Sequence, residues 1–87
     1  MDPVEFVDRF RADLIQRIST VNPLADDLLQ QDMINSEEYS NICSPPTSQA
    51  QMRELYKALK TDTVKFAFYG ILREKESFLV QDLEATV

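Results

Sequence analysis

The chain has 87 residues, enough for one domain built around one small core. It is 44% hydrophobic and 28% charged, the balance of a globular protein, and its single glycine argues against a sheet, whose turns call for positive φ. A net charge of −6 and a pI near 4.4 weigh against nucleic acid and anionic membranes as partners, and the lack of histidine removes the usual general base and metal ligand.

The first predicted helix runs from Val4 to Ile18. Asp2 caps it, Pro3 suits its first turn, and Glu5 stands at the capping-box position. At roughly 100° per residue, Val4, Phe6, Val7, Phe10, Leu14, Ile15 and Ile18 form one apolar arc. The arc spans about 180°, against the ~100° stripe of an ordinary surface helix, so several helices must wrap it. Arg11 and Arg17 fall inside the arc. The spacing therefore predicts a bend near Phe10 to Ala12 that turns Arg11 outward; snorkelling of the long stems is the alternative.

Asn22 and Pro23 open a second helix with Leu24, Leu28 and Leu29 on its apolar face. Asp26 and Asp27 occupy its first turns, where the helix dipole favours acids. Asn35 with Glu38 reads as a capping box for a third helix carrying Tyr39, Ile42 and Cys43, which Ser44-Pro45-Pro46-Thr47 then stops. Ser48 with Gln51 opens a fourth, in which Met52, Leu55, Tyr56 and Leu59 follow the i, i+3, i+4, i+7 rule. Arg53, Lys57 and Lys60 form a basic stripe on its other side.

Thr61 and Asp62 cap a fifth helix from about Thr63 to Lys75, with Val64, Ala67, Phe68, Ile71 and Leu72 inward and Phe66 and Tyr69 towards its sides. Gly70 in its interior is unfavourable and predicts close approach of another backbone. Ser77 caps a short last helix with Phe78, Leu79, Val80 and Leu83. The expectation is all-α: about six helices on short links, hence an antiparallel bundle with no room for a large internal cofactor.

No catalytic, metal-binding or cofactor-binding residues are assigned. Cys43 is the only cysteine, so there is neither an internal disulfide nor a cysteine-rich zinc site, and it reads as a small buried hydrophobe. Without histidine it has no activating partner, and neither a Gly-rich phosphate loop nor EF-hand spacing occurs. An enzyme is not expected. No apolar run approaches the ~18 residues of a membrane span, no signal peptide is visible, and a lone cysteine suits a reducing, cytoplasmic setting. Residues 1–87 read as a single module cut from a longer protein.

Charge is sorted along the chain. Between Ile18 and Met52 there is no lysine or arginine, while Asp26, Asp27, Asp32, Glu37 and Glu38 lie there. Arg9, Arg11 and Arg17 flank this span on one side and Arg53, Lys57 and Lys60 on the other. For any one residue a solvated surface with weak ion pairs is the default. Taken together, the pattern predicts a basic face of one copy meeting an acidic face of the next, a heterologous contact that grows into a helical filament if it does not close.

The segment from Phe6 to Ile18, FVDRFRADLIQRI, resembles the first helix of a caspase recruitment domain (CARD). Asn35-Ser36-Glu37-Glu38-Tyr39 is similar to the start of its third helix and Met52-Arg53-Glu54-Leu55-Tyr56 to its fourth. Leu72-Arg73-Glu74 and Ser77-Phe78-Leu79-Val80-Gln81-Asp82-Leu83-Glu84 are similar to its last two. The resemblance implies a six-helix bundle of the death-domain fold with a bent first helix and no enzymatic activity. It implies binding to other CARDs, those of adaptors, sensors and caspase-1-like precursors, and helical filaments that recruit inflammatory caspases in inflammasome signalling.

By position, Arg11, Arg17 and Arg53 match basic interface residues of the family and Asp26 an acidic one. Asp27, Glu37 and Lys57 share those faces, and Phe78 stands at an aromatic position of a second contact. The chain departs from the family in lacking tryptophan between the fourth and fifth helices, where Lys60-Thr61-Asp62-Thr63 is shorter and more polar. The link from Gln30 to Ile34 is a residue longer, which leaves the register of Asp32 open. Two other classes remain: a small helical nucleic-acid-binding or regulatory domain, supported only by the basic stripe of the fourth helix, and an inert structural bundle of a larger protein. A low-salt gel shift tests the first and light scattering the second.

Overall fold

The computed structural model describes residues 1–86, which form seven α-helices and no strand. These are α1 (Pro3–Arg9), α2 (Arg11–Arg17), α3 (Asn22–Gln30), α4 (Ser36–Cys43), α5 (Ser48–Ala58), α6 (Asp62–Lys75) and α7 (Ser77–Ala85). The expected six become seven because Phe10 interrupts the first segment. In place of one bent helix, two short helices meet at this residue, which ends α1 and begins α2 with φ −97° and ψ 24°. Its amide still donates to the Phe6 carbonyl (3.1 Å) and its carbonyl accepts from Leu14 (2.8 Å).

The interruption resolves the problem posed by the wide apolar arc. α1 packs on α6, while α2 packs on α5. Each half thus buries its own part of the arc against a different neighbour. Phe6, Val7, Leu14 and Ile18 have no exposed surface, Phe10 and Ile15 very little, and Val4 is half-buried. Arg11, the first residue beyond the break, is exposed. α6 also packs on α3 and α7, so its Phe68, Ile71 and Leu72 form the middle of a single core to which all seven helices contribute. Phe6 contacts Tyr69 of α6 edge-on at 5.1 Å between ring centroids and Phe10 at 5.0 Å.

Three helix starts follow the sequence reading. Asp2 accepts from the Glu5 amide (3.2 Å), Thr61 from the Val64 amide (3.2 Å), and Asn35 and Glu38 make both bonds of a capping box. Three others are shifted by one residue. Val21, buried in the core, precedes α3 in place of Asn22 and offers no capping side chain. Thr47 caps α5 in place of Ser48, accepting from Ala50 (3.2 Å), and Gln51 instead donates to the carbonyls of Cys43 (3.3 Å) and Pro45 (3.1 Å), bracing the proline turn. Glu76, not Ser77, is the single residue joining α6 to α7; its amide donates to Leu72 (2.7 Å) and its carbonyl accepts from Val80 (3.0 Å).

Gly70 also differs from expectation. It is exposed, and a methyl group built on it would meet nothing within 4 Å, so no backbone approaches it. Asp32, in the link after α3, has φ 59°. Its amide donates to Leu29 (3.0 Å) and that of Met33 to Leu28 (2.9 Å), the paired bonds of a Schellman motif closing α3.

Candidate functional site

The charged candidates divide into those with internal partners and those left open. On α5, Lys57 Nζ is 2.8 Å from Glu54 one turn earlier, and Lys60, just beyond the helix, is 3.1 Å from Glu38 of α4. Two of the three cations of the stripe read from the sequence thus have partners within the molecule, and Arg53 is the member of the stripe with no ion pair among the described residues. Arg17 is turned towards α7, where Nη1 donates to Asp82 Oδ2 at 2.8 Å. Asp27 is half-buried and 3.4 Å from Lys75 Nζ of α6, so it ties α3 to α6.

Arg11 makes no ion pair among the described residues. Its guanidinium carbon lies 5.4 Å from the centroid of the Tyr56 ring, within the range of a cation–π contact. Tyr56 is one turn after Arg53 on α5, so Arg11 and Arg53 share the α2–α5 flank. The Tyr56 hydroxyl donates to the Val7 carbonyl (2.9 Å) and its ring meets Phe68 edge-on at 6.2 Å. Burial raises the phenol well above the ordinary tyrosine range, with Arg11 opposing and Asp8 adding to the effect, so the hydroxyl stays a donor at neutral pH.

Two of the acids without an ion-pair partner among the described residues lie on α3 and α4. Asp26 is exposed and accepts a hydrogen bond from the Tyr39 hydroxyl, which joins the two helices. That bond, with smaller effects of Cys43 and burial, pushes the Tyr39 phenol up to about 12. Glu37 is exposed and has no ion-pair partner among the described residues. Glu38 is occupied: the Asn35 amide and then Lys60 hold its carboxyl below the usual carboxylate range. Phe78 is 86% exposed on α7 and, with Arg17, Glu76, Leu79 and Asp82, lines a shallow depression there.

The structure sets Arg11 over Tyr56, with Arg53 one turn earlier on the same helix, and leaves Asp26 exposed on α3 and Glu37 exposed on α4. It gives Arg17, Lys57 and Asp27 partners of their own. Tyr39 and Tyr56 were read from periodicity as apolar members of their helices. The available signal was the hydroxyl, which seeks a polar partner when its ring packs on a core. Among the described residues no group of three His, Cys, Asp or Glu side chains could hold a metal ion, and no helix is long and apolar enough to cross a membrane.

The family model for the caspase recruitment domain matches residues 4–86. Apoptosis-associated speck-like protein containing a CARD, from Danio rerio, is 38% identical over 84 residues, which are 93% of this chain and 41% of that protein. NACHT, LRR and PYD domains-containing protein 1a allele 1 of Rattus norvegicus is 32% identical over 82 residues, 92% of this chain and 7% of that protein. Protein 1b allele 3 of Mus musculus, from the same group, is 33% identical over 82 residues, with the same two shares of 92% and 7%. The chain therefore spans less than half the length of each of these relatives. With a match over nearly every residue and an all-helical architecture, the chain belongs to the caspase recruitment domain family, whose fold is the death-fold helical bundle.

Proposed function

We propose that this chain is an assembly module that binds other CARDs through complementary charged faces and stacks into helical filaments. The observation carrying the proposal is the separation of open charges: Arg11 and Arg53 on the α2–α5 flank, Asp26 and Glu37 on α3 and α4. A copy offering one face to the next makes a heterologous contact, and repetition without closure gives a filament. Complementary potentials steer encounter and fix orientation. Because the charges are exposed, salt weakens the contact, with a screening length of about 8–10 Å at physiological ionic strength.

Arg17, Lys57 and Asp27 join the interface by exchanging partners. For the exposed Lys57–Glu54 and Arg17–Asp82 pairs this costs little, since such pairs contribute about 0–1 kcal/mol. Phe78 supplies an apolar second contact. The module acts within a longer protein in the cytoplasm, where its filament gathers caspase-1-like precursors and adaptor or sensor CARDs in inflammasome signalling. The relatives support this reading: one is named as containing a CARD, and the chain covers only a part of each.

Light scattering and negative-stain microscopy of Arg11→Glu and Asp26→Arg test the proposal, with circular dichroism to verify the helices. Each substitution is expected to abolish filaments formed by the parent chain while leaving helicity intact. Polymerisation of both variants at the parent's threshold concentration would overturn it.

A further inference from the structure

The contact that positions Arg11 is independent of any partner molecule. Arg11 starts α2 directly after the Phe10 interruption, so its direction depends on how the α1–α2 break sits against α5. Tyr56 holds that junction at two points. Its hydroxyl donates to the Val7 carbonyl in the last turns of α1 (2.9 Å), and its ring lies 5.4 Å below the Arg11 guanidinium. Phe68 of α6 supports the ring from the core side, edge-on at 6.2 Å. Arg53, one turn earlier on the same helix, is exposed and without an ion pair among the described residues.

Building on the proposed CARD–CARD contact, we infer that Tyr56 is a positioning residue for the basic face: an aromatic platform, fixed at its hydroxyl end, that holds Arg11 beside Arg53 before any partner arrives. A long arginine otherwise loses rotamer freedom on binding, and a side chain already held in place gives up less. Stacking leaves the edge of the guanidinium, with its N–H donors, free to meet a carboxylate. An aliphatic residue would fill the same space without attracting the cation.

The test uses two variant chains that can pair only once. A chain carrying Asp26→Arg keeps its basic face and one carrying Arg11→Ala keeps its acidic face; because the charge at position 11 is removed and not reversed, the arginine introduced at position 26 has no acid to meet there, and a mixture forms a one-to-one complex instead of a filament. Its dissociation constant is measured by fluorescence anisotropy, with thermal melting of each chain. Tyr56→Leu in the Asp26→Arg chain is expected to weaken the complex about five- to tenfold, whereas the same change in the Arg11→Ala chain leaves it within about twofold. Tyr56→Phe, which keeps the ring and loses only the anchor at the Val7 carbonyl, is expected to weaken the complex about two- to threefold in the Asp26→Arg chain, less than Tyr56→Leu does, and to leave it within about twofold in the other chain. Equal effects of Tyr56→Leu in both chains, or none in either, would overturn the role of Tyr56 while leaving the charged contact standing. If the mixture forms no complex, the charged contact itself falls and the positioning role with it.

Discussion

Asp32 occupies a backbone conformation that a side chain makes costly. Its φ of 59° lies in the left-handed region, where a Cβ crowds the following carbonyl by roughly 1–2 kcal/mol, and aspartate is only a partly tolerated substitute for glycine. The two Schellman bonds that close α3 hold it there. Asp32→Gly is expected to stabilise the domain by about 1 kcal/mol in urea unfolding, the relief outweighing the greater freedom that glycine gains in the unfolded chain. A loss of stability would mean that the aspartate side chain supports the turn. The identity of the charged residues was readable from the chain, whereas their partners were not. Arg17 and Asp82 are separated by 65 positions, and the bond between Tyr56 and Val7 spans 49, so both depend on how the helices pack. Spacing within one helix, as for Lys57 and Glu54, carries no comparable uncertainty.

Among the elements, α6 touches α1, α3 and α7, and its one glycine faces solvent. A helix-interior glycine is less favourable than alanine by about 0.8–1 kcal/mol, and here a methyl group meets no neighbour within 4 Å. Gly70→Ala is therefore expected to raise stability by about 1 kcal/mol without affecting assembly, as measured by thermal unfolding and light scattering. A destabilised variant would contradict the open surroundings of this position. Periodicity located the helices well because the buried residues of each follow the 3.6-residue repeat; Met52, Leu55 and Leu59 of the fourth predicted helix are buried as its spacing implies. Their starts were less certain where two capping residues adjoin, as with Thr47 and Ser48, because the preceding proline turn decides which residue adopts the extended cap conformation. The break at Phe10 was foreshadowed by an arc too wide for one helix. Periodicity does not distinguish a curve from an interruption, since both turn Arg11 out of the apolar face.

On the scale of the whole molecule, the buried side chains are apolar, no charged residue of the described chain is buried, and ionic groups act at the surface. Its radius of gyration, 11.8 Å, is close to the ~12 Å of a folded chain of this size. Such a body holds its faces in fixed relative orientation, which a repeating contact requires. The proposed contact depends on opposite signs on two flanks, not on which flank carries which sign. The most direct measurement is assembly of the chain carrying both Arg11→Glu and Asp26→Arg, compared by light scattering with each single variant. With the signs exchanged at these two positions, the pair again presents unlike charges across the contact, and filaments are expected to return although each single variant forms none. A double variant that remains monomeric with its helices intact would contradict charge complementarity between these two flanks.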